Sequence, residues 1–224
     1  MSRADALTPT SFALLGLLAV RPWTTYELAS QMDRTFSRFW PRARSKLYEE
    51  PKKLVALGLA ASHAGATGRR PRTVYDITTA GRRELAAWLA SAGSGPVVES
   101  EQLVRVFFAE HGTTTDALRT LDDLREWVHA RTLVDIDVGR SYLDGTAPFP
   151  ERAAVTTVVG RCLGDLLETF DRWAAWATEV METWPDDPHD APLDRAPLEA
   201  SVAQAEARAA RWLATDHRHR RPAP

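Results

Sequence analysis

Arg42-Ala43-Arg44-Ser45-Lys46-Leu47-Tyr48-Glu49-Glu50-Pro51-Lys52-Lys53-Leu54-Val55-Ala56-Leu57-Gly58, residues 42–58, is the stretch on which the reading of the fold turns. Its leucines at 47, 54 and 57 share one side at helical spacing, and Gly58 is a C-cap candidate, so a helix is expected from about Arg42 to Leu57. Arg42, Arg44, Lys46, Lys52 and Lys53 fall on it, with Arg38 just before it. Pro51 removes a backbone donor, so a kink or a late helix start is expected there. The two carboxylates, Glu49 and Glu50, are read as partners for cations or as solvated groups.

Two helices precede this one. Thr8 and Pro9 suit an N-cap and a first helical position, and Phe12, Leu14, Leu15, Leu17, Leu18 and Val20 make a helix apolar on nearly every face. Arg21-Pro22-Trp23 ends it. Thr24-Thr25-Tyr26-Glu27 then reads as a capping box, and the second helix carries Leu28, Ala29 and Met32. After Gly58, Leu59–His63 and Thr73–Ile77 read as the strands of a hairpin, whose connector holds two glycines, a proline and Arg69, Arg70 and Arg72. Thr78 and Thr79 can cap a fourth helix with Leu85, Trp88 and Leu89.

Three short helices, a hairpin and a further helix compose a winged helix-turn-helix. That fold places its third helix in the major groove of duplex DNA and its hairpin tip on the backbone or minor groove. The expected DNA-contacting residues are therefore Arg38, Arg42, Arg44, Ser45, Lys46, Lys52 and Lys53, with Arg69, Arg70 and Arg72 on the wing. Arginine and lysine suit phosphates, and arginine can also fork onto guanine. Charge follows the same division. The chain's net charge is -2, yet residues 1–92 hold 14 Lys+Arg against 7 Asp+Glu, and the remaining 132 hold 14 against 23. A basic half beside an acidic half points to a polyanion at one end.

The sequence resembles the PadR family of bacterial transcriptional regulators. Phe12-Ala13-Leu14-Leu15-Gly16-Leu17-Leu18, Tyr26-Glu27-Leu28, Lys46-Leu47-Tyr48, Leu54–Leu59, Arg72–Thr78 and Gly81 carry the likeness, over residues 8–92. The remainder is similar to the longer subgroup, whose helical C-terminal domain is shared with virulence-activator-type regulators. The resemblance implies DNA binding as a homodimer, usually repression, and often relief by a small molecule or stress signal. It also implies that Tyr26, Lys46 and Tyr48 lie at the DNA surface.

Residues 1–92 are thus read as the DNA-binding domain, and residues 97–184 as an all-helical dimerisation and effector domain beyond a linker at Ser94-Gly95-Pro96. A short helix ends at Gly112, and a longer one runs from Thr115 to about Leu143. Val155, Val159, Leu163, Leu166, Phe170, Trp173, Ala177, Val180 and Trp184 recur at three- and four-residue steps, which predicts a helix of roughly 35 residues, ~50 Å long at ~1.5 Å per residue. So long an apolar stripe needs a partner. A two-fold pairing is expected to use Val159, Leu163, Leu166, Phe170, Trp173 and Val180. Trp127, Trp173 and Trp176 offer flat walls for a planar effector. Residues 185–224 read as a flexible linker rich in Pro and Asp, a last amphipathic helix from Leu198 to Leu213, and a basic end, His217-Arg218-His219-Arg220-Arg221.

Other classes find little support. No run reaches the ~18 to 20 apolar residues of a membrane span, and nothing resembles a signal peptide. One cysteine, Cys162, cannot form an internal disulfide, so a reducing cytoplasm is expected, with the thiol buried beside the apolar stripe. Six histidines lie scattered. No metal set, phosphate-binding glycine loop or nucleophile elbow is visible, so neither cofactor nor catalysis is expected. The competing readings are a protein-interaction adaptor built on a winged helix, which would carry few cations on its third helix, and a small enzyme using the tryptophan-lined helices.

Overall fold

A computed structural model describes residues 7–37, 39–67 and 70–216, which form two compact units meeting between Pro96 and Val97. In the first unit, α1 (Pro9–Val20) starts with Thr8 as N-cap, and the side chains of Thr8 and Ser11 form a reciprocal capping box. Phe12, Leu14, Leu15, Leu17 and Leu18 are all buried, each worth about 1.5–3 kcal/mol of transfer free energy, so α1 is the axle of this unit.

α2 (Thr25–Phe36) begins at the expected Thr24–Glu27 capping box and buries Leu28, Ala29 and Met32. α3 (Arg44–Ala56) is one helix that passes through Pro51. The expected late start is absent: Pro51 is fully buried with Leu47 and Leu54 beneath the helix, where its ring serves the core. Leu57 lies past the helix end and is half-buried rather than inward. Gly58, at φ 70°, closes α3 with N–H donation to the Val55 carbonyl at 2.9 Å, while the Leu59 N–H reaches the Leu54 carbonyl.

β2 (Ala60–Thr67) and β3 (Arg70–Ile77) form the hairpin in register Ala60↔Ile77 through Thr67↔Arg70, so it is longer than the two expected strands. β1 (Trp23–Thr24) adds a third strand on the other side of β3, pairing Trp23 with Tyr75. By sequence Trp23 reads only as part of a helix stop. In the structure it is 2% exposed, and its indole N–H donates to the Leu17 carbonyl at 2.7 Å. α4 (Thr79–Ala90) follows, capped by Thr78, and its Trp88 stacks on Phe12 at 4.7 Å.

The second unit is helical. α5 (Glu101–Phe107) and a 3-10 turn lead to α6 (Thr114–Leu143) and α7 (Ala153–Met181), which pack together. Their shared core joins Ala117, Leu121, Leu124 and Val128 to Leu167, Ala174, Ala177 and Met181. α7 has 29 residues instead of about 35, because the chain turns at Glu182 before reaching Pro185. Residues 185–190 are anchored, contrary to a free linker. Thr114 donates its N–H to the Asp186 carbonyl at 2.9 Å and its hydroxyl to the Pro185 carbonyl, and Pro188 is buried. α8 (Arg195–Asp216) ends the described chain with Leu198, Val202, Trp212 and Leu213 all at least half exposed. Residues 217–221 lie outside the described residues.

Candidate nucleic-acid interface

The helix-turn-helix is fixed from its inner side. Leu47, Pro51 and Leu54 of α3 are buried, so Ser45, Lys46, Glu49 and Lys52 are left exposed, with Tyr48 37% exposed. Tyr26 stands in the first turn of α2 with 65% of its surface free. The loop between α2 and α3 is pinned by Trp40, whose indole N–H donates to Thr10 Oγ1 at 3.0 Å. Arg42 extends from that loop with its guanidinium 4.0 Å from the centre of the Trp40 ring. This stacking orients a cation beside the start of α3, and no spacing rule in the sequence announces it.

One expected contact changes character. Lys53 Nζ lies 3.0 Å from Glu50 Oε1, and the same carboxylate accepts the Ser11 hydroxyl from α1. Glu50 is only 13% exposed, so this pair braces α3 against α1, and Lys53 is committed to it. Sequence spacing permits this i,i+3 pair, but it gives no sign of the third partner, which lies 39 residues away.

On the hairpin, Arg72 is exposed and pairs across to Gly65. A Cβ at Gly65 would meet Val74 Cγ2 at 2.6 Å, so the missing side chain leaves room for Val74 beside Arg72. Arg38 and Arg69 lie outside the described residues, as do the side chains of Arg44 and Arg70. The base of the hairpin is held by Thr78. Its hydroxyl lies 2.9 Å from the Gly58 carbonyl and 3.1 Å from the Leu59 carbonyl, and it accepts the Gly81 N–H at 3.0 Å. The end of α3, the hairpin and α4 therefore meet at one threonine.

At the start of α2, Glu27 accepts from the Thr24 backbone N–H at 2.8 Å and from the Thr24 hydroxyl at 2.7 Å. These bonds, together with the nearby Arg21, hold its carboxyl below the usual range against the opposing effect of burial. Arg21 itself lies with its guanidinium 3.6 Å from the centre of the Trp23 ring.

In the second unit the expected interface and pocket residues separate. Phe170 and Trp173 pack against their own chain's core. Leu163 and Val180 are half-buried, while Val159 and Leu166 stay 41% and 42% exposed. Trp127 is exposed on α6 and does not line the groove that contains Trp176; that groove takes Trp184 as its second tryptophan. Cys162 is exposed, not buried, because the face of α7 that packs on α6 runs through Leu167 and Ala174. Among the described residues, no three His, Cys, Asp or Glu side chains gather as a metal set, and no helix is long and apolar enough to cross a membrane.

Comparison with known proteins agrees with this architecture. Residues 14–87 match the model of the transcriptional regulator PadR-like family. The negative transcriptional regulator PadR of Bacillus subtilis is 28% identical over 99 residues, which is 43% of this chain; the match spans about half, 54%, of that relative's length. The crystal structure of Bacillus subtilis PadR in complex with operator DNA superposes with a TM-score of 0.62 at 21% identity, covering 78% of this chain and 99% of that one. The same regulator in complex with p-coumaric acid gives 0.57 at 22% identity, covering 77% and 98%. The Vibrio cholerae virulence activator AphA gives 0.58 at 19% identity, covering 77% and 97%. Those likenesses establish a shared fold that extends into the helical second unit. The likeness to the transcriptional regulator PadR-like family is thus carried by residues 14–87, a third of this chain.

Proposed function

We propose that the protein is a sequence-specific, homodimeric DNA-binding repressor of the cytoplasm that a small molecule or stress signal releases. The carrying observation is the split of α3, with Leu47, Pro51 and Leu54 buried and Ser45, Lys46, Tyr48 and Lys52 turned outward. Together with Tyr26, Arg42 and the wing's Arg72, these residues are the proposed DNA surface, and by sequence Arg38, Arg44, Arg69 and Arg70 extend it. Residues 1–92 are the proposed DNA-binding domain, and residues 97–184 the dimerisation and effector domain, with residues 185–224 appended to it. The solved complex of Bacillus subtilis PadR with operator DNA supports this reading by fold.

Dimerisation is supported by what the α6–α7 pair leaves uncovered. Leu133, Val134, Ile136 and Val138 on the later half of α6 are 41–50% exposed, and Val155, Val158, Val159 and Leu166 on the early half of α7 are 41–73% exposed. Eight large apolar side chains on paired helices suit a second copy of the chain. The small-molecule component draws on the relative solved with p-coumaric acid.

Fluorescence anisotropy of the full chain on its own upstream duplex, against a scrambled duplex at two salt concentrations, tests the reading. Preference for the native duplex with affinity falling steeply as salt rises is the expected result. No binding to any duplex at low salt overturns it.

A further inference from the structure

The second unit contains an apolar groove of about 330 Å³ between the end of α7 and the start of α8. Trp176, Val180 and Trp184 form one wall, and Leu193, Asp194 and Leu198 stand on the other. Trp176 is 46% exposed, and Trp184 is partly buried against the unit's own core, so one ring is free and the other is held. Among the described residues, Asp194 is the one ionisable group that lines the groove, and no lysine or arginine lines it. One Asp194 oxygen accepts the Ala196 N–H at 3.0 Å, which fixes the carboxylate at the rim.

Three electrostatic features point the same way. Indole faces attract cations through their quadrupole, an exposed carboxylate adds a full negative charge, and the C-terminal end of the 29-residue α7 adds the negative pole of its macrodipole. The surroundings reinforce them, because residues 97–216 hold 23 Asp+Glu against 11 Lys+Arg. A carboxylate ligand would meet repulsion here, since the neighbouring Arg195 does not line the groove and its guanidinium lies 3.4 Å from Glu199.

We propose that this groove binds a lipophilic organic cation, with Trp176 and Trp184 against its apolar body and Asp194 beside its charge. The inference deepens the effector component of the proposed function and rests on that reading only for any consequence at DNA. The binding itself is measured without DNA, so the two can fail separately.

The experiment is calorimetric titration of the full-length protein with tetraphenylphosphonium and with tetraphenylborate, two ions of matching shape and opposite charge. Saturable binding of the phosphonium, at least tenfold tighter than the borate, is the expected result. Asp194→Asn keeps an acceptor for the Ala196 N–H and removes the charge, and it is expected to narrow that ratio about threefold to tenfold. Trp176→Ala, at a half-exposed site that does not threaten the fold, is expected to weaken the phosphonium about threefold. Absence of saturable phosphonium binding, equal affinity for the two ions, tighter borate binding, or a ratio untouched by Asp194→Asn each overturns the proposal. Operator binding without either ion reports independently on the DNA reading.

Discussion

Ser11 of α1 donates its hydroxyl to the carboxylate of Glu50 on α3, so the helix proposed to enter DNA is held by a side chain from the most deeply buried helix of its unit. The same Ser11 oxygen accepts the Thr8 N–H at 2.9 Å, and Glu50 also receives Lys53 at 3.0 Å. Ser11 is wholly buried and the Glu50 side chain is 13% exposed, which shields the bond from most of the solvent.

Removing that hydroxyl has a defined cost. Ser11→Ala leaves Glu50 with Lys53 alone and the Thr8 N–H without its partner, and is expected to destabilise the first unit by about 1–3 kcal/mol. Urea unfolding followed by circular dichroism measures it. Stability unchanged within about 0.3 kcal/mol would mean that Glu50 is solvated in solution.

The neighbouring lysines separate by role. Lys46→Ala and Lys52→Ala are each expected to weaken operator binding and to lower the slope of log affinity against log salt by about 0.9. Lys53→Ala should leave that slope nearly unchanged and cost at most about 1 kcal/mol of stability. Equal slopes for Lys52→Ala and Lys53→Ala would place Lys53 on the DNA after all.

Gly81 tests the junction of helix and hairpin. A Cβ there would lie 2.1 Å from the Leu59 carbonyl oxygen and 2.9 Å from Ile77 Cγ1. Since the obstructing atom is backbone, it cannot swing aside, and Gly81→Ala is expected to cost about 3 kcal/mol. Calorimetric unfolding should show the loss, whereas Gly93→Ala, with nothing within 4 Å of its Cβ, should be nearly neutral. Comparable melting temperatures for the two variants would contradict the close approach.

Glu27 makes stability depend on acidity. Its carboxyl is held below the ordinary value of 4.5, chiefly by the Thr24 backbone N–H and then by the Thr24 hydroxyl. A carboxyl with a lowered folded-state value contributes stability that is fully present above the ordinary value and is lost as pH falls through the lowered one. Glu27→Gln should therefore flatten the fall in melting temperature below pH 4.5, most visibly at low salt. A variant whose pH profile parallels the parent would remove Glu27 from the acid response.

The exposed half of α7 carries the proposed dimer contact. Leu166→Arg, at a site 42% exposed in the single chain, should leave the monomer folded and shift sedimentation towards half the dimer mass. Unchanged sedimentation would move the interface elsewhere. Leu124→Ala, 3% exposed in the α6–α7 core, should instead lower stability by about 2–5 kcal/mol.

Local chemistry sufficed wherever it acts over a few residues. The capping pairs Thr8–Ser11 and Thr24–Glu27, the Thr78 cap, the stop at Gly58 and the apolar circuit of α1 follow from side chains close in sequence, so their positions were legible there. The outward set of Ser45, Lys46, Tyr48 and Lys52 was legible too, since helical periodicity assigns inner and outer sides once Leu47 and Leu54 are apolar. Tertiary packing decided the rest. Trp23 joined a sheet because Tyr75, 52 residues later, offers it a ladder, and Pro51 stayed within α3 because burial of its ring offsets the missing donor. Lys53 turned to Glu50 because Ser11 fixes that carboxylate, and Phe170 and Trp173 went to their own core while Cys162 faced outward. Periodicity tells how many sides of a helix are apolar, but which side a neighbour covers depends on the neighbour's position, and that is set only when distant segments meet.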